Sequence, residues 1–322
     1  MKQFLKLVEA GEGFPDITLL PALALYFGVT VDELLGVGKE RIQKEVDEIR
    51  KRANAYAGRG YHEESTAILL DGLKQFPDNE ELTYYLMFSV PRSNPDKIIE
   101  LGEWILAHSV DSSIRSGAVQ QLVFAYCAKG NRERAAELAQ TMANLSVTYD
   151  ELLCSVLTGE ERLDHLRWYR YHLVDLLGTR IHSGIDPKKA AEKCIAFIQL
   201  MYENGDYGFE HTRLRENYIT LAKIAAGKQQ EAQTVENLSQ ATDHALAFLE
   251  WTKDKSFTHT SLLFDGLNTP GDGFGTDSSS NEAKECLNEM NDPVFDFLRD
   301  TDAFQQIAAR LTPFAADYAI NV

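Results

Sequence analysis

At 322 residues, with 44% hydrophobic, 25% charged and 10% aromatic residues, the chain has the balance of a folded globular protein and exceeds what one ordinary core organises, so two domains or a repeat array are expected. Its formal net charge of −17 excludes a general affinity for nucleic acid or anionic lipid, because phosphate binding needs a concentrated positive patch; any DNA contact must be local. Apolar runs stay short of the roughly 18–20 residues that cross a bilayer, and Met1–Lys6 is not followed by a signal-like apolar core, so a cytoplasmic location without membrane contact is expected.

Taken in chain order, the apolar residues recur at helical spacing from end to end, and no alternating hairpin pattern is found; the expectation is an all-α protein. A short helix is predicted over Leu19–Phe27, stopped at Gly28, followed by Thr30-Val31-Asp32-Glu33, in which hydroxyl and carboxylate can cap a second short helix. Leu23, Leu34 and Leu35 should form a small satellite core, since two short helices cannot bury an apolar stripe alone. From Lys39 onward the pattern becomes one of paired helices. Turns at Gly60-Tyr61, Asn94-Pro95 and Gly130-Asn131 start at residues 60, 94 and 130, spacings of 34 and 36, and Phe76-Pro77-Asp78-Asn79 stops one helix and caps the next. Gly227–Ala232 repeats the turn. Residues 269–281 are a glycine- and serine-rich loop, and 282–322 are expected to supply terminal capping helices.

The Gly turns followed by Ala67 and Ala135, with Pro77-Asp78-Asn79 at the boundary, resemble the tetratricopeptide repeat over residues 45–145 and, more weakly, 205–250. The resemblance implies a helix-hairpin solenoid, a superhelix with a concave groove, over 39–322. Glu9-Ala10-Gly11-Glu12-Gly13-Phe14-Pro15-Asp16-Ile17-Thr18-Leu19-Leu20-Pro21-Ala22-Leu23-Ala24, continued by Tyr26–Gly36, closely resembles the second half of a helix-turn-helix domain of the lambda-repressor-like group, the xenobiotic-response-element regulators. Residues 1–38 are thereby expected to be the C-terminal half of that DNA-binding domain. Where the family ends its recognition helix in a Ser-Lys-Trp run stand Lys6, Leu7 and Val8, with only five residues before them. Two explanations fit, a longer native N-terminus or a loss of DNA binding; the intact caps and turns of the remaining half favour the first, and no DNA-binding residue can be assigned. Lys2 and Lys6 against Glu9, Glu12, Asp16, Asp32 and Glu33 leave 1–38 at −3 (2 − 5), so no basic surface is present to hold DNA.

A search for chemistry yields no catalytic residue, metal set or cofactor. Gly271-Asp272-Gly273-Phe274-Gly275 lacks dinucleotide or P-loop spacing, Asp272, Asp277 and Glu282 lack the alternation of a calcium loop, and His62-Glu63-Glu64 lacks a second histidine. Cys127, Cys154, Cys194 and Cys286 are scattered and read as reduced thiols. His165, Trp168, Tyr169 and His172 share a helical face, but two histidines without a third ligand make no metal site. Arg167 and Arg170 interleave with Trp168, Tyr169 and Tyr171; this cluster can take a carboxylate or an aromatic group, or be an ordinary inter-helix contact with solvated arginines. Asn54, Tyr84, Tyr85 and Asn217 are candidates to line the groove, where Asn amides can hold an extended peptide, or else plain helix surface.

The function expected from these readings is that of a transcriptional regulator, no enzyme, whose repeat domain senses a peptide or protein ligand and forms a homodimer. It would touch DNA only through a complete helix-turn-helix. The alternative is a helical-repeat interaction scaffold that does not bind DNA.

Overall fold

The computed structural model describes residues 17–31, 34, 37–253, 256–270 and 275–320. Glu9–Asp16, the Asp32 and Glu33 of the proposed capping box, Leu35 and residues 271–274 lie outside these. The described residues are overwhelmingly helical, with one pair of two-residue strands. The chain divides into two compact units: residues up to Ala55 together with His62–Ala135, and Tyr56–Tyr61 together with Ala136 onward.

In the first unit, a 3-10 turn at Ile17–Leu19 leads into α1 (Leu20–Phe27). Gly28 ends it in the left-handed region at φ 70°, its amide bonded back to the last turn, as a C-terminal glycine does. Leu20 and Ala24, four apart, are buried, while Leu25 and Tyr26 point outward; Leu23 and Leu34 are half-buried. α2 (Val37–Ala57) buries Val46 and Ala53, two turns apart on one face. α3 (His62–Gln75) buries Ser65, Leu69 and Gly72. A β-carbon at Gly72 would come within 2.9 Å of Ile49 and 3.2 Å of Leu82, so this glycine sets how closely α3 meets its neighbours.

The turns expected at Pro77-Asp78-Asn79, Asn94 and Gly130 each launch a helix. Asp78 takes a left-handed φ of 61° and Asn79 caps α4 (Glu80–Ser89) by accepting from Leu82 N. Asn94 caps α5 (Pro95–His108), Asp111 caps α6 (Ser112–Ala128), and Gly130 turns at φ 77° into α7 (Arg132–Ala139). Successive helices from α3 to α6 pack on one another, and α4 also touches α6. Their shared core is aliphatic: Leu82, Leu86, Met87, Ile98, Leu101, Ile105. Gly102 lies against Leu122, whose Cγ would be 2.6 Å from an added β-carbon.

In the second unit, α8 (Tyr149–Val156) and α9 (Gly159–Arg180) pack together, followed by α10 (Pro187–Met201), α11 (Glu210–Ala226) and α12 (Glu231–Trp251). Ala222 and Ala226 of α11 meet Ala241 and Ala245 of α12 in one core, the small side chains letting the two helices run close together. At the Gly227–Ala232 turn the left-handed residue is Gln229 (φ 53°), while Gly227 stays right-handed. Strands β1 (Phe257–Thr258) and β2 (Asn268–Thr269) pair antiparallel, Phe257 opposite Thr269, a pairing too short for sequence alternation to reveal. α13 (Glu282–Met290), a 3-10 stretch at Pro293–Leu298 and α14 (Asp302–Leu311) close the unit by burying Phe295, Leu298, Phe304, Ile307 and Leu311. Segment 56–61 is clasped here too: Thr276 N donates to Gly58 O, Tyr61 Oη donates to Tyr318 O, and Gly60 (φ 77°) abuts the Ser278 backbone so closely that no β-carbon fits.

Candidate ligand cavity

A cavity of about 660 Å³ opens in the second unit. α11 supplies Thr212, Arg213, Arg215 and Glu216; Phe209 precedes it; Thr179 comes from α9, Phe248 from α12, Glu282 and Glu285 from α13, and Ala57, Gly275–Ser278 and Tyr318 complete the wall. Ion pairs fix its charged floor. Arg213 holds Glu210 and, at 2.7 Å, Asp175. Gly178 makes this possible, because a β-carbon there would stand 2.8 Å from the guanidinium. Arg215, 7% exposed, pairs through Nε with Glu282, 12% exposed. Burial opposes the charge on Arg213, yet Glu210 and Asp175 outweigh it and raise its pKa above the ordinary arginine value; Arg215 is raised in the same way, chiefly by Glu282.

Beside this cavity is a smaller one of about 200 Å³, lined by Trp168, Tyr171, Phe209, Trp251, Thr269, Pro270 and Gly275. Trp168 and Tyr171, three residues apart on α9, meet edge to face with centroids 6.0 Å apart. Trp251, at the last turn of α12, packs on Phe248 at 5.3 Å. Thr269 is held from behind: its Oγ1 is 3.2 Å from His259 Nε2, and His259 Nδ1 is 3.1 Å from the Asp206 carbonyl oxygen. Burial pushes His259 below the usual histidine value, with Asp206 opposing. Burial would raise the Asp206 carboxyl, but hydrogen bonds donated by Ser261 and Thr260 hold it below the usual range. Near the start of α11, His211 and His244 face each other, Nδ1 to Nδ1, at 2.9 Å. Burial and the neighbouring His244 push His211 down to about 4.

The sequence candidates fall in different places. Asn54 is exposed on α2, and Tyr85 lies half-buried on α4 under the Arg50 guanidinium, 5.6 Å from its ring centre; both belong to the first unit. Tyr84 packs against Gly117, where a β-carbon would meet its hydroxyl at 2.5 Å. Arg167 is engaged by Asp164 at 2.6 Å and Glu160 at 3.1 Å. Arg170 is exposed and has no hydrogen-bond or ion-pair partner among the described residues. Asn217 is 2% exposed and donates to Arg213 O at 2.7 Å, which puts it inside the packing of α11 rather than on a groove. Of the named cluster, Trp168 reaches a cavity, and Tyr171 joins it.

Sequence reading missed Arg213, Arg215, Phe209 and Trp251. The one local signal was Arg213-Leu214-Arg215 on a helix of a strongly acidic chain. Among the described residues, no group of three or more His, Cys, Asp or Glu side chains is arranged to hold a metal ion, and no helix is long and apolar enough to cross a membrane. Cys194 and Cys286 are buried, Cys127 is exposed, and all four cysteines are free.

No protein-family model, no curated protein and no solved structure matches the chain.

Proposed function

We propose that the protein is a transcriptional regulator whose second unit binds an effector in the cavity over α11, with DNA reading left to a complete helix-turn-helix. The observation that supports this most is the cavity itself: its volume of about 660 Å³ falls in the range of small-ligand and short-peptide sites. Its walls come from α9, α11, α12 and α13, so an occupant touches several helices at once and biases their arrangement. The DNA-reading half rests on the resemblance of residues 9–36, and the repeat half on the helix hairpins that turn at residues 60, 94 and 130. In such regulators a superhelical array spaces two reading heads on a palindrome. The test is chromatin immunoprecipitation of the natively expressed protein from cross-linked cells. Reproducible sites sharing a palindrome support the regulator; a uniform background across the genome rejects it.

One further surface feature bears on the regulator and the scaffold readings alike. Tyr149, Leu152 and Val156, at helical spacing on α8, are 74%, 56% and 70% exposed, an apolar stripe of the kind that meets a second protein surface. In either reading this stripe is the proposed homodimer contact. Leu152→Glu should then shift the species seen by light scattering from dimer to monomer, and a monomeric parent chain would remove the contact.

A further inference from the structure

The smaller cavity has walls of unusual chemistry. Trp168, Tyr171, Phe209 and Trp251 surround about 200 Å³, and aromatic faces present negative quadrupole potential to whatever lies over them. Among the described residues no lysine or arginine lines it, and its remaining polar side chain, Thr269, is neutral and 5% exposed. The box also shares Phe209 and Gly275 with the larger cavity. That lining carries Glu216, Asp277, Glu282 and Glu285 against Arg213 and Arg215, a balance of −2 (2 − 4). Both guanidiniums are already held by carboxylates, Arg213 by Glu210 and Asp175, Arg215 by Glu282. An anionic occupant would meet repulsion there, whereas a cation gains from the aromatic faces and from the surrounding carboxylates.

We propose that Trp168, Tyr171, Phe209 and Trp251 form an aromatic cage for an alkylammonium group, the head of a ligand whose remainder extends past Phe209 into the acidic cavity. The proposal deepens the effector half of the regulator reading and rests on it, naming the chemistry the effector must carry. Trp168, 40% exposed, is the open wall, and Trp251, 7% exposed, the inner one, so a cation can enter past Trp168 without unpacking the core. The head group can come from a free quaternary amine or from a lysine side chain of a peptide.

The test uses the full chain carrying Trp104→Phe. The protein has three tryptophans, and Trp104 stacks on His108 in the first unit, so its removal leaves only the two cage tryptophans to report. Tetramethylammonium, choline, lysine amide and Nε-trimethyllysine amide are titrated against tryptophan fluorescence, alongside 3,3-dimethylbutan-1-ol, which has the shape of choline without its charge. The expected result is saturable binding of at least one cation, with choline at least tenfold tighter than its neutral isostere. Trp168→Leu should abolish binding and Trp168→Phe retain it within a few-fold, with far-ultraviolet circular dichroism unchanged in both. Relative strength of choline and the lysine amides identifies the ligand source. Equal binding of choline and the neutral isostere, no saturable response to any cation, or full binding by Trp168→Leu overturns the cage. Genome occupancy is read independently, so failure of the cage leaves the regulator standing, and a uniform genomic background leaves the cage standing.

Discussion

The interior of the first unit is made from aliphatic side chains on helix hairpins, with Leu82, Leu86, Ile105 and Leu122 essentially out of water, and its few buried polar groups are hydroxyls such as Ser65 and Ser89 bonded to each other. The second unit buries Glu210, Arg215, Asn217, His259 and Glu282 and places charged and aromatic side chains around the cavities of about 660 and 200 Å³. Apolar packing needs only shape and volume, while buried charge is stable only when paired in good geometry. The contrast separates two kinds of interior: hydrophobes of similar volume could often replace interior ion pairs at no cost in stability, so the pairs kept around the larger cavity mark the unit to which the proposed effector site is assigned.

The sharpest way to break this comparison is to remove one partner of the Arg215–Glu282 pair. Glu282→Ala should cost about 3–5 kcal/mol, the price of an uncompensated buried charge, whereas Arg215→Met with Glu282→Leu together should return close to the parent. Urea unfolding followed by tryptophan fluorescence measures both. A single-variant loss below about 1 kcal/mol, the usual size for an exposed pair, would show that the pair is solvated and the contrast overstated.

The matching test in the first unit is a volume change. Leu122→Ala should cost about 2–5 kcal/mol in the same assay, from lost transfer energy and the cavity left behind. Gly102→Ala alone should cost about 1–3 kcal/mol through overpacking against Leu122. Since a β-carbon at Gly102 meets Leu122 Cγ at 2.6 Å, the two changes together should cost less than their sum. Strict additivity would mean that α5 and α6 do not interlock there.

Acid should separate the units next. His211 has a folded value of about 4 against an ordinary 6.5, so as pH falls the unfolded chain takes the proton first. The neutral histidine's contribution is complete above pH 6.5 and is lost between pH 6.5 and 4, at most roughly 3 kcal/mol at 1.36 kcal/mol per unit. His244 is shifted down as well, mainly by burial, and steepens the loss. Unfolding free energies of the parent and of His211→Gln at pH 7 and pH 4.5 check this: the parent should fall further than the variant, and parallel losses would place the pair in water.

The smallest effects come from two asparagine caps, one in each unit. Asn79→Ala removes a single capping bond to Leu82 N and should cost about 1 kcal/mol. Asn281→Ala removes the cap on Lys284 N, a bond from Ala316 N and a donation to Phe314 O at 2.8 Å, and should cost about 2 kcal/mol, because three hydrogen bonds are lost rather than one. Equal losses would make the closing segment of the second unit as loosely held as an ordinary helix start.

Much of the local structure was readable in the chain. Gly28, Asn79, Asn94 and Gly130 act where sequence alone places them, because caps and left-handed turns depend on the residue and its nearest neighbours. Trp168 was legible on a helix face with His165, Tyr169 and His172 for the same reason, and Tyr171 as a neighbour of Arg167 and Arg170. Asn217 was not: residue type suggests surface, but α11 packs against α10, α12 and α13, so its polar residues too are enclosed. Phe209 and Trp251 had no signal, since each sits at a helix end with no periodic neighbour to mark it.

The sequence by itself determined an all-helical chain, its caps, its hairpin turns and a charge that repels phosphate, all properties of composition or of residues a few positions apart. Which aromatic rings face one another, which arginine lies buried beside which glutamate, and where space remains unfilled were decided only by tertiary structure. Those features join residues from α9, α11, α12, α13 and the loops around them, and packing geometry across distant segments is not encoded in local spacing.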